Sequence, residues 1–143
     1  MNPENDNLDA LGNYLCQMVN QLCQRTGFRC RLQVLDLPRE IEVSSQIRHN
    51  ISMAVKEAVH NVIRHARASE VTVGIVFDGS VLIITILDNG CGFEPEGKFS
   101  GNGLTNMRRR LGDIGGSCTL ASQPGEGATI TMRLVLRPST KSR

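Results

Sequence analysis

Two β-rich runs, residues 71 to 77 and 81 to 88, are separated only by Asp78-Gly79-Ser80. A connector that short, with that turn chemistry, makes the two runs an antiparallel hairpin. Residues 117 to 122 and 127 to 136 repeat the arrangement around Pro124-Gly125. A further strand signal, residues 28 to 35, alternates Phe28, Cys30, Leu32 and Val34. Consecutive strands joined by tight turns make most of the sheet antiparallel.

Helical patterns fill the remaining chain. Residues 7 to 25 place Leu8, Leu11, Leu15, Met18 and Leu22 at steps of three, four, three and four, the pattern of a helix packed along a seam. Gly27 ends that helix and Pro38 breaks the chain after the first strand. A long helix is expected over residues 44 to 67, capped by Ser44 or Ser45. Its apolar face is Ile47, Ile51, Ala54, Val55, Ala58, Val62 and Ala66. A shorter helix carries Leu104, Met107, Leu111 and Ile114 and stops at Gly115-Gly116. The expected fold class is α/β: a two-layer sandwich of a mixed, mostly antiparallel sheet with helices on one face. The 143 residues suit one core. The expected divisions are residues 1–26, a helix that is a linker or the end of a dimerisation hairpin, 27–136, the main domain, and 137–143, a disordered basic tail.

Composition narrows the function by exclusion. A net charge of +2 with scattered basic residues argues against a nucleic-acid or membrane surface. The scarcity of aromatic residues argues against a base-stacking platform. No apolar run approaches the ~20 residues that span a bilayer. Five cysteines without a CxxC pair read as reduced thiols in a cytosolic, cytoplasmic protein. Cys16 and Cys23 fall beside the helical seam and Cys30 on a strand, and none is given a role.

Three clusters carry chemistry. Glu57, Asn61 and His65 lie at i, i+4 and i+8 and share one stripe of the long helix. A carboxylate and an amide oxygen are hard ligands suited to Mg²⁺, and Arg64 and His65 bring positive charge toward phosphate oxygens. The same residue types are common on solvated helix faces, so this stripe alone decides nothing. Asp88 ends a strand row that is otherwise apolar (Leu82, Ile84, Ile86), and a carboxylate there needs a partner such as an adenine amino group. Asp88-Asn89-Gly90 is equally an ordinary turn signal. The third cluster is glycine: Gly90 and Gly92, then Gly101-Asn102-Gly103-Leu104 just before a helix whose N-terminal N–H groups suit phosphate. The polar stretch from Glu94 to Ser100 reads as a lid. Gly92 to Lys98 also matches GxxxxGK, but Phe99 stands where a P-loop needs Ser or Thr, and Glu94 and Glu96 oppose phosphate.

Together the boxes Lys56-Glu57-Ala58-Val59-His60-Asn61-Val62-Ile63-Arg64-His65-Ala66, Asp88-Asn89-Gly90-Cys91-Gly92-Phe93, Gly101-Asn102-Gly103-Leu104 and Gly125-Glu126-Gly127-Ala128-Thr129 resemble the ATP-binding catalytic domain of sensor histidine kinases. That domain belongs to the Bergerat-fold superfamily with gyrase, Hsp90 and MutL. The resemblance runs from about Phe28 to Leu136 and looks like the nitrate-sensor and DesK branch. It implies ATP and Mg²⁺ as cofactors. Asn61 would bind the metal, Glu57 would position water or polarise the transfer, and Arg64 and His65 would face the phosphates. Asp88 would bond the adenine amine, with Gly92 and Thr129 nearby, and Gly101, Gly103 and Leu104 would hold the lid. The implied function is supply of the γ-phosphoryl group for histidine autophosphorylation in a two-component system. The implied partners are a His-bearing dimerisation domain and a response regulator, and the chain alone is not expected to autophosphorylate.

The first helix contains no histidine, so the phosphoacceptor is expected elsewhere. Its seam offers a route to a dimer, and under an anti-sigma-type reading it would be a dimer or partner surface. Two other readings share the pocket: an anti-sigma-type serine protein kinase and a non-catalytic ATP-binding interaction module. Thr129 has opposite parity to Ala128, Ile130 and Met132, and a bulge near Gly127 would be needed to turn it inward. His49, His60 and Arg108 to Arg110 read as ordinary helix-surface residues.

Overall fold

The structure is a computed structural model and describes residues 6–65, 68–90, 103–122 and 127–136. The elements are α1 (Leu8–Thr26), β1 (Arg29–Val34), α2 (Ser45–His65), β2 (Glu70–Phe77), β3 (Val81–Asp88), α3 (Thr105–Asp113), β4 (Ser117–Ser122) and β5 (Ala128–Val135). The expected lid, Gly92, Gly101 and the tail lie outside the described residues.

Local chemistry sets most boundaries. The Asn7 side chain accepts from the Ala10 N–H at 2.8 Å and caps α1. Gly27 takes a left-handed φ of 75° and closes the far end. Ser44, not Ser45, caps α2: its hydroxyl accepts from the Ile47 N–H at 3.1 Å. In the first hairpin, Asp78 accepts from the N–H groups of Ser80 and Val81 at 3.0 and 2.8 Å, and Gly79 supplies a φ of 103°.

The sheet runs β1-β2-β3-β5-β4. β1 and β2 are parallel, because α2 lies between them in the chain and carries it back across the sheet. The other three pairs are antiparallel. One face buries Val71, Val73, Ile75, Leu82, Ile84, Ile86, Ile130, Met132 and Leu134 in the core cluster that the helices share. Leu87 and Val135, of opposite parity, are 46% and 51% exposed. The layers are those the sequence implied.

α1 departs from expectation in its phase. It buries Leu8, Leu11, Leu15, Val19 and Cys23, whereas Met18 and Leu22 are only partly buried. A straight helix has 3.6 residues per turn, so a stripe drifts by about 20° per heptad relative to a strict seven-residue repeat. The buried stripe follows that drift, and Cys23 enters the core instead of standing beside it. Burial pushes the Cys23 thiol up to about 12, and the cysteines among the described residues are free. The expected boundary at residue 26 separates no packing unit, since α1 shares one core with the sheet. Leu8, Leu11 and Leu15 of the seam are buried within the chain itself.

Candidate functional site

α2 ends at His65 and β2 begins at Glu70, while Val71 pairs with Asp88. The C-terminal part of α2 and the end of β3 therefore lie toward the same end of the sheet. Asp88 is on the core face, continuing the row of Leu82, Ile84 and Ile86.

Asp88 is 4% exposed. Its Oδ1 accepts from the Gly90 N–H at 2.8 Å, and its Oδ2 is buried with no partner. Burial raises its pKa above the usual carboxylate range, against the opposing backbone hydrogen bonds of Gly90 and Ala128. A buried acceptor without a donor costs free energy unless something supplies the donor. On α2, Asn61 is 6% exposed and its Nδ2 is likewise buried without a partner. Among the described residues Ser52 Oγ is the third such atom.

Glycine brings distant chain to both ends. A Cβ on Gly103 would stand 2.5 Å from Asn61 Nδ2 and 3.0 Å from Glu57 Oε2. The chain entering α3 thus lies directly on the Glu57–Asn61 stripe. The first turn of α3 holds no acidic residue, and Leu104, which is partly buried, offers no side-chain cap. Its N-terminal N–H groups and dipole therefore favour an anion. At the other end, a Cβ on Gly127 would collide with the Asp88 carbonyl oxygen, and Gly127 holds a φ of 76°. Only glycine satisfies both conditions there.

Of the expected residues, the structure brings Glu57, Asn61 and Gly103 together and places Gly90 on Asp88. Arg64 is exposed on the last turn of α2, and the His65 side chain lies outside the described residues. Thr129 is in regular register between Leu87 and Ala121. No bulge turns it inward, so its side chain is on the sheet face away from Asp88.

Two residues escaped the sequence reading. Gly127 was visible only as part of a motif. Asn89 was visible only as a turn residue, yet its Oδ1 accepts from the N–H groups of Ser69 and Glu70, both at 3.0 Å. Its Nδ2 donates to Ser69 Oγ at 3.2 Å. These bonds pin the end of β3 to the start of β2 and so hold Asp88 in place. No local signal reveals a bond to a strand that far back in the chain.

Residues 47–138 match the family described as histidine kinase-, DNA gyrase B-, and HSP90-like ATPase. The sensor histidine kinase LiaS of Bacillus subtilis (strain 168) is 34% identical over 113 residues, 76% of this chain and 31% of LiaS. The nitrate/nitrite sensor protein NarQ of Escherichia coli (strain K12) is 36% identical over 127 residues, 85% of this chain and 20% of NarQ. The chain thus spans about a third or less of these relatives. The histidine kinase domain from the Erythrobacter litoralis EL346 blue-light activated histidine kinase superposes with a TM-score of 0.76 at 19% identity, covering 92% of this chain and 64% of that one. Among the described residues no helix is long and apolar enough to cross a membrane.

Proposed function

This chain belongs to the histidine kinase-, DNA gyrase B- and HSP90-like ATPase family, and on that premise we propose that it holds ATP with Mg²⁺ and presents the γ-phosphoryl group to a histidine. The histidine would belong to the dimerising helical domain of a sensor kinase, and a response regulator would receive the group next. The observation that carries the reading is the pair of buried, unpartnered polar atoms, Asp88 Oδ2 and Asn61 Nδ2, with Gly103 laid against Asn61 and Glu57.

Each residue has a task that fits its surroundings. Asp88 Oδ2 accepts from the exocyclic amine of adenine, while the Gly90 N–H holds Oδ1 and fixes the carboxylate plane. Asn61 can turn its amide to offer oxygen as a hard ligand to Mg²⁺. Held by Asn61, the metal would supply positive charge that offsets the charge building on the phosphates. Glu57, beside Asn61, positions water or polarises the acceptor. The N-terminus of α3, with Gly103, receives phosphate, and Arg64, exposed on the last turn of α2, supplies positive charge. Gly92, Gly101 and His65 complete the proposed set from sequence, and Thr129 is not carried into it.

The test is a titration of the chain with a fluorescent ATP analogue, with and without Mg²⁺. The chain should bind more tightly with Mg²⁺, and Asn61→Ala should abolish that enhancement. An Asn61→Ala variant with undiminished Mg²⁺ dependence would overturn the metal assignment. Incubation with γ-labelled ATP and the helical domain of a relative such as LiaS should give an acid-labile product. An acid-stable product would refute the histidine acceptor.

A further inference from the structure

A groove runs between α1 and α2, on residues that the nucleotide reading does not use. It consists of two adjoining concavities of about 860 and 460 Å³ that share Tyr14, Ser52 and Met53. Along α1 it extends from Ala10 to Arg25, which at about 1.5 Å per residue is roughly 22 Å, or four helical turns. That is too long for one small ligand and suits an extended rod.

Its chemistry is one-sided. Tyr14, Met18, Leu22 and Met53 supply an apolar floor, and Tyr14 is 50% exposed although aromatic. Thioether side chains adapt to varied apolar partners. Among the described residues no aspartate or glutamate lines either concavity. Arg25 and Lys56 stand exposed on the rim, and neither makes an ion pair among the described residues. Beneath the floor, Ser52 is 7% exposed and its hydroxyl has no hydrogen-bond partner. A fully satisfied surface leaves no such atom.

We propose that this groove docks an acidic amphipathic helix of a partner protein. The partner's apolar stripe would lie on Tyr14, Met18, Leu22 and Met53, its carboxylates would meet Arg25 and Lys56, and a polar group would reach Ser52. Length, an apolar floor and unpaired cations together fit a helix laid in a groove. A second copy of this chain does not supply the occupant. α1 carries a single acid, Asp9, held toward Arg39, α2 carries only Glu57, which lies against Gly103, and α3, with three arginines and one aspartate, is basic. Electrostatic complementarity then sets which helix is accepted.

The test uses the whole chain and two fluorescein-labelled helical peptides of about 16 residues. Both carry leucine at a and d positions, and they are flanked by glutamate in one and lysine in the other. Fluorescence anisotropy should show the glutamate peptide binding about tenfold more tightly. Amide chemical-shift changes should centre on Tyr14, Met18 and Met53. Arg25→Glu combined with Lys56→Glu, both on exposed side chains and so compatible with folding, should reverse the preference. Equal affinity for the two peptides, binding of neither, or shifts confined to residues outside the groove would overturn the proposal. So would a concentration-dependent dimer that the double variant disperses, or preferential binding to anionic phosphatidylserine vesicles.

Discussion

Asp88→Asn separates the stability of this fold from its ligand chemistry. In the wild type one carboxylate oxygen is held by the Gly90 N–H and the other is buried with nothing to accept from. Burial raises the native pKa of Asp88 above its ordinary value. The native state therefore binds a proton more tightly than the unfolded chain, and stability contributed by this site falls as pH rises. The cost is absent below the unfolded carboxylate pKa and complete above the raised native value, which includes neutral pH whenever that value lies below it. Asparagine carries no charge, so the ligand-free variant should be at least as stable as the wild type at pH 7 and should lack this part of the pH dependence.

Binding should move the other way. The Gly90 N–H demands an acceptor, so asparagine keeps its oxygen there and puts its NH₂ group where Oδ2 was. Donor then faces the donor of the adenine amine. Loss of a hydrogen bond to a charged group is worth about 1.5–3 kcal/mol, or roughly 10- to 150-fold in affinity, and the mismatch places the result toward the upper end. Thermal unfolding at pH 5 and pH 7, with a parallel titration by the ATP analogue, measures both. Unchanged affinity would refute the adenine assignment. A variant much less stable than wild type at pH 7 would refute the account of the buried charge.

Other perturbations test single contacts. Gly103→Ala should cost less than about 1 kcal/mol in denaturant unfolding, because its Cβ meets side-chain atoms of Asn61 and Glu57 rather than backbone. The same variant should weaken binding of the ATP–Mg²⁺ analogue by about tenfold or more. Gly127→Ala should destabilise by about 1–3 kcal/mol or more, since it meets backbone at Asp88 and requires a positive φ. Asn89→Ala removes the ties to Ser69 and Glu70. It should cost about 1–2 kcal/mol of stability and weaken nucleotide binding less than Asp88→Asn does. Deletion of residues 1–26 should abolish cooperative thermal unfolding, because five α1 side chains belong to the common core and a domain's whole stability is only about 5–15 kcal/mol. A truncated chain that still unfolds cooperatively would restore the reading of α1 as a linker.

The residues themselves determined everything that depends on short stretches of chain. Asp78-Gly79-Ser80 dictates a hairpin wherever it stands, because its side-chain and backbone bonds lie within four residues. Ser44, Asn7 and Gly27 mark helix ends in the same way, and alternation along β3 assigned Asp88 to the core side. The spacing of the four boxes placed the family. What the sequence left open was decided by contacts between segments far apart in the chain. Packing against the core chose Val19 and Cys23 over Met18 and Leu22, which moved the seam inward and left a groove in its place. The fold set Gly103 on Asn61, Gly127 on Asp88 and Asn89 on the start of β2. A side chain's rotamers and neighbours along the chain cannot announce which remote backbone will arrive beside it. That arrival follows from how the whole core closes, and it turns a buried carboxylate and a buried amide into a site.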